Sequence, residues 1–287
     1  MTAVSVRLIL LHDPAANRLA WLASGPDGRP LGTAFLRVPT GGVADLEIRV
    51  HPAERRAGVG TRLLDAAVAA AEERGLPGVL TEAVPEGSDA EAFYLRHGLR
   101  RVLSLSYTRL DLAGTLPDVT ETPGYRLAHW EGVVPPELAE TFARSRRAMD
   151  DMPMDDAGYV PQPWDVARLH AVAEAVARRG ETLRTTAAIG PDGEIAGFTE
   201  VVVGESAEGQ HYGTGVLPEH RGRGLARWMK AAQIRAVRER FPRLTGLLAD
   251  TADSNAAMRR VNASLGYVHT HRSRLYQKDL PCAPSGS

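Results

Sequence analysis

Apolar and polar residues alternate in four short runs near the start of the chain, at about 5–11, 18–24, 31–38 and 43–50, and each run predicts a strand. The period then lengthens: Val59, Leu63, Ala67 and Ala70 fall on one face of a helix over 58–74, which Gly75 and Pro77 end. A strand over 78–82, a helix over 89–97 and a strand over 101–110 follow. Asp27-Gly28 suits a two-residue hairpin turn. After a polar, proline-punctuated linker at 114–124, a strand at 125–128 leads to a helix over 136–149 with Leu138, Phe142 and Met149 on one face. Asp165 can cap a second helix that turns Val166, Leu169, Val172 and Val176 inward. Strands at 183–189, 195–203 and 211–217 precede a helix over 224–240, whose predicted core stripe is Leu225, Met229, Ala232 and Ala236. A strand at 244–250, a helix over 255–265 and a long strand over 267–279 complete the pattern, and 281–287 is expected to be a disordered tail.

The two halves share more than their order of elements. Gly25-Pro26-Asp27-Gly28 recurs as Gly190-Pro191-Asp192-Gly193, and Tyr94-Leu95-Arg96-His97-Gly98 is matched by Asn262-Ala263-Ser264-Leu265-Gly266. Between these matches, Val50-His51-Pro52 followed by Arg55-x-x-Gly58-x-Gly60 parallels Val216-Leu217-Pro218 followed by Arg221-x-x-Gly224-x-Ala226. Three matches in the same order at similar spacing indicate a tandem duplication. The domains are expected at 1–113 and 125–280, joined by the linker.

Composition narrows the chemistry. With 34 basic and 35 acidic residues the net charge is -1, which gives no global attraction to nucleic acid or to an anionic membrane. A single cysteine, Cys282, excludes an internal disulfide and a cysteine metal cluster. His269 and His271 share a strand face without a third ligand, so no metal site is expected. The apolar run Leu8 to Leu11 is too short for a signal or a membrane span, and a soluble, cytoplasmic protein acting on a small molecule is the expectation.

The repeated turn is a place for an anion. A strand end, a glycine-rich turn and a helix start bring free backbone N–H groups to the positive end of a helix dipole. Arg221, Gly222, Arg223, Gly224, Leu225 and Ala226 make this turn in the second half, and Arg55, Arg56, Ala57, Gly58, Val59 and Gly60 make it in the first. Both turns also resemble the acetyl-CoA signature (Q/R)-x-x-G-x-(G/A) of the GNAT superfamily of N-acetyltransferases. The element order of the second half resembles that α/β fold, and the first half resembles it without the two early helices. The tandem as a whole is similar to two-domain actinobacterial acetyltransferases of the mycothiol synthase type. Each half ends in one long strand where many GNAT domains have two, so either that strand bends or each domain completes its sheet with the other.

The resemblance implies acetyl-CoA as co-substrate, direct acetyl transfer to a primary amine, and cofactor contacts from both turns with Val216, Leu217, Val50 and His51. It also implies that Asn255 holds the pantetheine arm. Freeing the lone pair of an alkyl amine about three pK units above neutrality costs roughly 4 kcal/mol unless a base or a water chain takes the proton. The family often supplies a glutamate on the fourth strand and a tyrosine on the fourth helix, which here are Glu47 and Tyr94. The second half has Gly213 and Asn262 at those places, with Glu200 or His211 as substitute bases acting through water. It alone has the early helices, whose connection carries Asp151, Met152, Met154, Asp155, Tyr159 and Trp164 as candidate walls for a cationic amine. On that ground the second half is the expected catalytic unit. Acetylation of a cysteinyl amine and a non-catalytic CoA sensor or scaffold are the alternative readings.

Overall fold

The computed structural model describes residues 6–13 and 17–281. Most of the tail expected at 281–287, with Cys282, therefore lies outside the described residues. The chain forms two compact units, and neither is an uninterrupted half of the sequence. Unit 1 contains Met1–Ser104, Met154–Val160 and Arg272–Ser287, and unit 2 contains Leu105–Pro153 and Pro161–His271.

In unit 1 the strands β1 (Arg7–Asp13), β2 (Arg18–Ser24), β3 (Pro30–Arg37) and β4 (Ala44–Val50) pair antiparallel in sequence order. No helix separates β1 from β2 among the described residues. The helix α1 (Val59–Glu72) then returns the chain to β5 (Gly78–Thr81), which lies parallel to β4. The two-residue β6 (Val84–Pro85), α2 (Asp89–Arg96) and the first residues of β7 (Arg100–Asp111) follow. The sheet is completed from the far end of the chain: β13 (Val268–Asp279) pairs with β5 through Gln277↔Leu80 and Asp279↔Gly78. Tyr276 is fully buried in this core among Leu46, Leu63, Val79 and Tyr94. α1 presents Val59, Leu63, Leu64, Ala67 and Ala71 to the same core, and each fully buried leucine contributes about 1.5–3 kcal/mol.

Unit 2 repeats the plan with the early helices added. β8 (Arg126–Glu131), α3 (Pro136–Ser145) and α4 (Val166–Arg178) precede β9 (Thr182–Ile189), β10 (Ile195–Val203) and β11 (Glu208–Val216). Then come α5 (Leu225–Arg240), β12 (Gly246–Ala252) and α6 (Ala256–Ser264). β12 pairs parallel with β11 on one side and antiparallel with Leu105–Asp111 of β7 on the other. Of the two readings of the long terminal strands, the second is the one observed. Asp165 caps α4 by accepting a bond from the Arg168 N–H at 2.7 Å.

The predicted stripe of α5 is corrected. Ala232 and Ala236 are only half-buried, whereas Trp228, Lys230, Gln233, Ile234 and Val237 are buried with Leu225 and Met229. Two polar residues break the apolar period because each has an interior role. Gln233 donates to the Arg184 carbonyl at 2.7 Å, and the Lys230 ammonium lies 5.2 Å from the ring centre of Tyr267. Burial pulls the Lys230 pKa down to about 7.

Candidate active site

The site in unit 1 arises from strand divergence. β4 and β5 pair only from Ala44↔Val79 to Leu46↔Thr81, with one further bond from the Glu82 N–H to the Leu46 carbonyl. Beyond it the strands separate, and a cavity of about 720 Å³ occupies the gap. β4 alternates, so Leu46, Ile48 and Val50 pack on the core under α1 while Glu47 and Arg49 face the other way. Ile48 and Val50 line the cavity, and so do Arg49 and Glu82. One cavity lined from both faces is a passage through the sheet.

One end of this passage is the anion cradle. Gly58 is the N-cap of α1 with φ +82°, a left-handed conformation that glycine adopts without strain, and no side chain caps the helix. A Cβ on Gly60 would lie 3.3 Å from the Phe93 ring, so the turn packs closely against α2. Arg55 and Arg56 line the cavity, and Arg56 is held by Asp89 at 3.2 Å. His51 is used locally, its Nδ1 accepting from the Ala53 N–H at 3.3 Å. Free N–H groups, two guanidiniums and this volume fit the diphosphate and pantetheine of CoA.

The other end is polar and crowded with charge. Arg49 bridges two carboxylates, Glu47 at 3.1 Å and Glu82 at 2.7 Å. Burial raises the pKa of Glu82, with Glu47 adding to the rise and Arg49 opposing it. The Tyr94 ring is buried and lines the cavity, and burial pushes its pKa far above the usual phenol value, with the negative charge of Glu82 adding to the effect. Its hydroxyl is therefore a firmly protonated hydrogen-bond donor. Glu47 does not line the cavity.

Unit 2 has the same frame with different contents. β11 and β12 pair from Glu208↔Gly246 to Gln210↔Leu248 before diverging, and Gly224 is the uncapped N-cap of α5 with φ +84°. Arg221, however, is engaged from within: it donates to Asp151 at 2.6 and 2.8 Å and to the Val216 carbonyl at 2.9 Å. Thr122 of the linker donates to the Arg223 carbonyl at 3.4 Å, at the start of the same helix. Asn255 caps α6, accepting from the Met258 N–H at 3.0 Å.

The three catalytic candidates of unit 2 lie in its interior. Glu200 is 3% exposed and meets Arg146 at 2.6 Å, whose guanidinium stacks 4.0 Å from the centre of Trp164. The space beside this pair, about 10 Å³, admits one water rather than an amine substrate. His211 is buried against the Tyr267 hydroxyl at 2.5 Å, and burial beside Lys230 depresses its pKa. Asn262 donates to Thr251 at 3.2 Å and is 2% exposed. Each was singled out by its position in the repeat or on a strand, which does not report burial.

The residues expected to wall the acceptor are divided between the units. Asp151, Met152 and Trp164 belong to unit 2, where Asp151 neutralises Arg221 and Trp164 also stacks on Arg168 at 4.1 Å. Met154, Asp155 and Tyr159 belong to unit 1, where the neighbouring Ala157 packs with Val43, Leu80 and Val102 and the Gly158 N–H donates to Gln277 at 2.7 Å. Sequence reasoning missed Glu82 and Arg49. The repeat held a signal for the first: Gly78-Val79-Leu80-Thr81-Glu82 and Gly246-Leu247-Leu248-Ala249-Asp250 both carry an acid four residues after the glycine that begins the strand.

Comparison with known proteins agrees with this frame. The acetyltransferase (GNAT) family model matches residues 6–99 and 147–267. Mycothiol acetyltransferase of Nocardia farcinica is 32% identical over 275 residues, covering 93% of this chain and 85% of that protein. The mycothiol acetyltransferase of Clavibacter michiganensis is 30% identical over 223 residues, covering 74% of this chain and 65% of the relative. Among solved structures, a tandem GNAT protein from the clavulanic acid biosynthesis pathway superposes with TM-score 0.74 at 24% identity, covering 96% of this chain and 86% of that one. Because two repeated cradles, two parallel strand pairs that open beside them and both matched segments coincide, the chain belongs to the GNAT family of acetyltransferases.

Proposed function

We propose that this protein moves acetyl from acetyl-CoA to the primary amine of a small molecule by direct transfer, with the passage in unit 1 as the reaction site. The observation that carries this reading is the single cavity that joins the Gly58 cradle to Tyr94 and the carboxylate end. The cradle would hold the diphosphate, and the open strand β4 would present backbone N–H groups toward the thioester carbonyl and its developing oxyanion. Tyr94 would donate a hydrogen bond to the departing thiolate. When bound, acetyl-CoA supplies an activated acyl carbon, and the protein supplies position and somewhere for the proton to go.

Titrating acetyl-CoA into the wild type, Gly58→Trp and Gly224→Trp by calorimetry tests the site. Gly58→Trp is expected to abolish the binding that supports turnover, while Gly224→Trp leaves it in place. Loss of turnover with Gly224→Trp alone would move the reaction to unit 2, where the early helices are.

A cysteinyl amine is a second, narrower reading of the acceptor. It is favoured by the resemblance to mycothiol acetyltransferases, which extends over 93% of the chain for the Nocardia farcinica protein. Faster CoA release with a cysteinyl amine than with the same amine lacking the thiol would support it.

A further inference from the structure

Arg49 and Glu82 are part of the passage wall, and their arrangement is that of a cation already seated where a cation is to be received. The guanidinium of Arg49 sits between Glu47 and Glu82, at 3.1 and 2.7 Å, at the sheet face away from α1. Glu82 is two residues beyond Leu80 and so on the same face, where Leu80 packs with Val43 and Val102. Of the two carboxylates, Glu82 lines the passage and Glu47 does not. The Glu82 side chain keeps 30% of its surface open, so an incoming group reaches it without unfolding anything.

We infer that Glu82, on the loop after the fifth strand, receives the acceptor's ammonium in place of Arg49 and takes its proton, with Glu47 left to hold the displaced guanidinium. This deepens the proposed function and rests on it. The ligand class is a primary alkyl ammonium, which matches the carboxylate in charge and lacks the planar fork by which Arg49 spans both acids. The proton passes from nitrogen to a Glu82 oxygen, and the freed lone pair forms the N–C bond to the acetyl carbon. The C–S bond then breaks, and the second nitrogen proton goes to the thiolate beside Tyr94. Glu82 returns its proton to solvent, so one amide, one CoA thiol and one proton result.

The charged and titratable groups that face Glu82 are Arg49 and Glu47 from β4 and Tyr94 from α2. Burial and Glu47 favour a protonated Glu82 and Arg49 disfavours it, so the acidic limb of turnover should move to higher pH when Arg49 is neutralised.

The test uses the full chain, acetyl-CoA and four nucleophiles: glucosamine, ethanolamine, benzylamine and hydroxylamine. Hydroxylamine is largely unprotonated at neutral pH and needs no base. Glu82→Gln is expected to lower kcat for the alkyl amines at least about a hundredfold while the acetyl-CoA Kd and the hydroxylamine rate stay within a few-fold. Arg49→Gln is expected to move the acidic limb of kcat/KM upward and to lower KM for the amine. Unchanged alkyl-amine turnover in Glu82→Gln, or a large loss with Glu47→Gln alone, overturns the assignment. Wild-type CoA release with hydroxylamine but with no alkyl amine also overturns it, and leaves the cofactor reading standing. Retained turnover in Gly58→Trp overturns the unit 1 reading instead, and wild-type inactivity with all four nucleophiles overturns both.

Discussion

Glu200 lies within β10, paired on both sides, and Glu82 just past the end of β5, and their surroundings give them opposite work. Glu200 is 3% exposed, its charge matched by Arg146 at 2.6 Å under three aromatic rings. Truncating one partner of such a pair strands the other in a dry interior. Glu200→Ala is therefore expected to destabilise unit 2 by about 3–5 kcal/mol, read as a lowered midpoint in thermal unfolding. Glu82 meets its arginine at the wall of a cavity, where the partner can be exchanged. In sequence the two looked alike, and Glu200 was the one singled out because it lay in a recognised strand of the half with the acceptor helices. The difference between a structural and a reactive carboxylate is a matter of which neighbours surround it, and most of those neighbours are distant in sequence.

At the scale of elements, the helix α2 shows how a cavity wall is held. Ser88 caps it, accepting from the Glu91 N–H at 3.2 Å, and the Glu91 side chain turns back to accept from the Gly87 N–H. Glu91 also accepts from the Tyr276 hydroxyl at 2.5 Å and from Arg274 at 2.6 Å, so the capped end of α2 is tied to β13. These bonds, the Tyr276 and Gly87 donors above all, hold the Glu91 pKa at about 2 against an ordinary 4.5. A depressed carboxylate pKa contributes stability that is complete above the unfolded value and disappears as pH falls through the folded one. Unit 1 is expected to lose this contribution between about pH 4.5 and 2, and Glu91→Gln to flatten that part of the curve of melting temperature against pH. The helix over 89–97 is legible in the sequence as a local pattern, whereas the use of Glu91 as an anchor for the last strand is not, because its partners are 183 and 185 residues away.

At the scale of the molecule, the duplication was visible as three ordered matches, and each copy does build the same strand, turn and helix cradle. The cuts at 113 and 125 followed the linker. The compact units instead take Arg272–Ser287 into the first and Leu105–Pro153 into the second. A chain of residues 1–113 lacks Tyr276, which is fully exposed to no solvent in the intact core, and the strand that pairs with β5. Such a fragment is expected to show no cooperative thermal transition by circular dichroism, whereas supplying residues 268–281 through a flexible linker should restore one. The sequence by itself determined the α/β repeat, the two glycine turns and the helices that follow them, because backbone conformation at glycine and apolar periodicity are local properties. Only the tertiary structure decided which long strand completes which sheet and which carboxylates are buried with an arginine. It also decided that the passage opens beside Glu82 and Tyr94, since a cavity is made by residues brought together from separate elements and no single stretch encodes it.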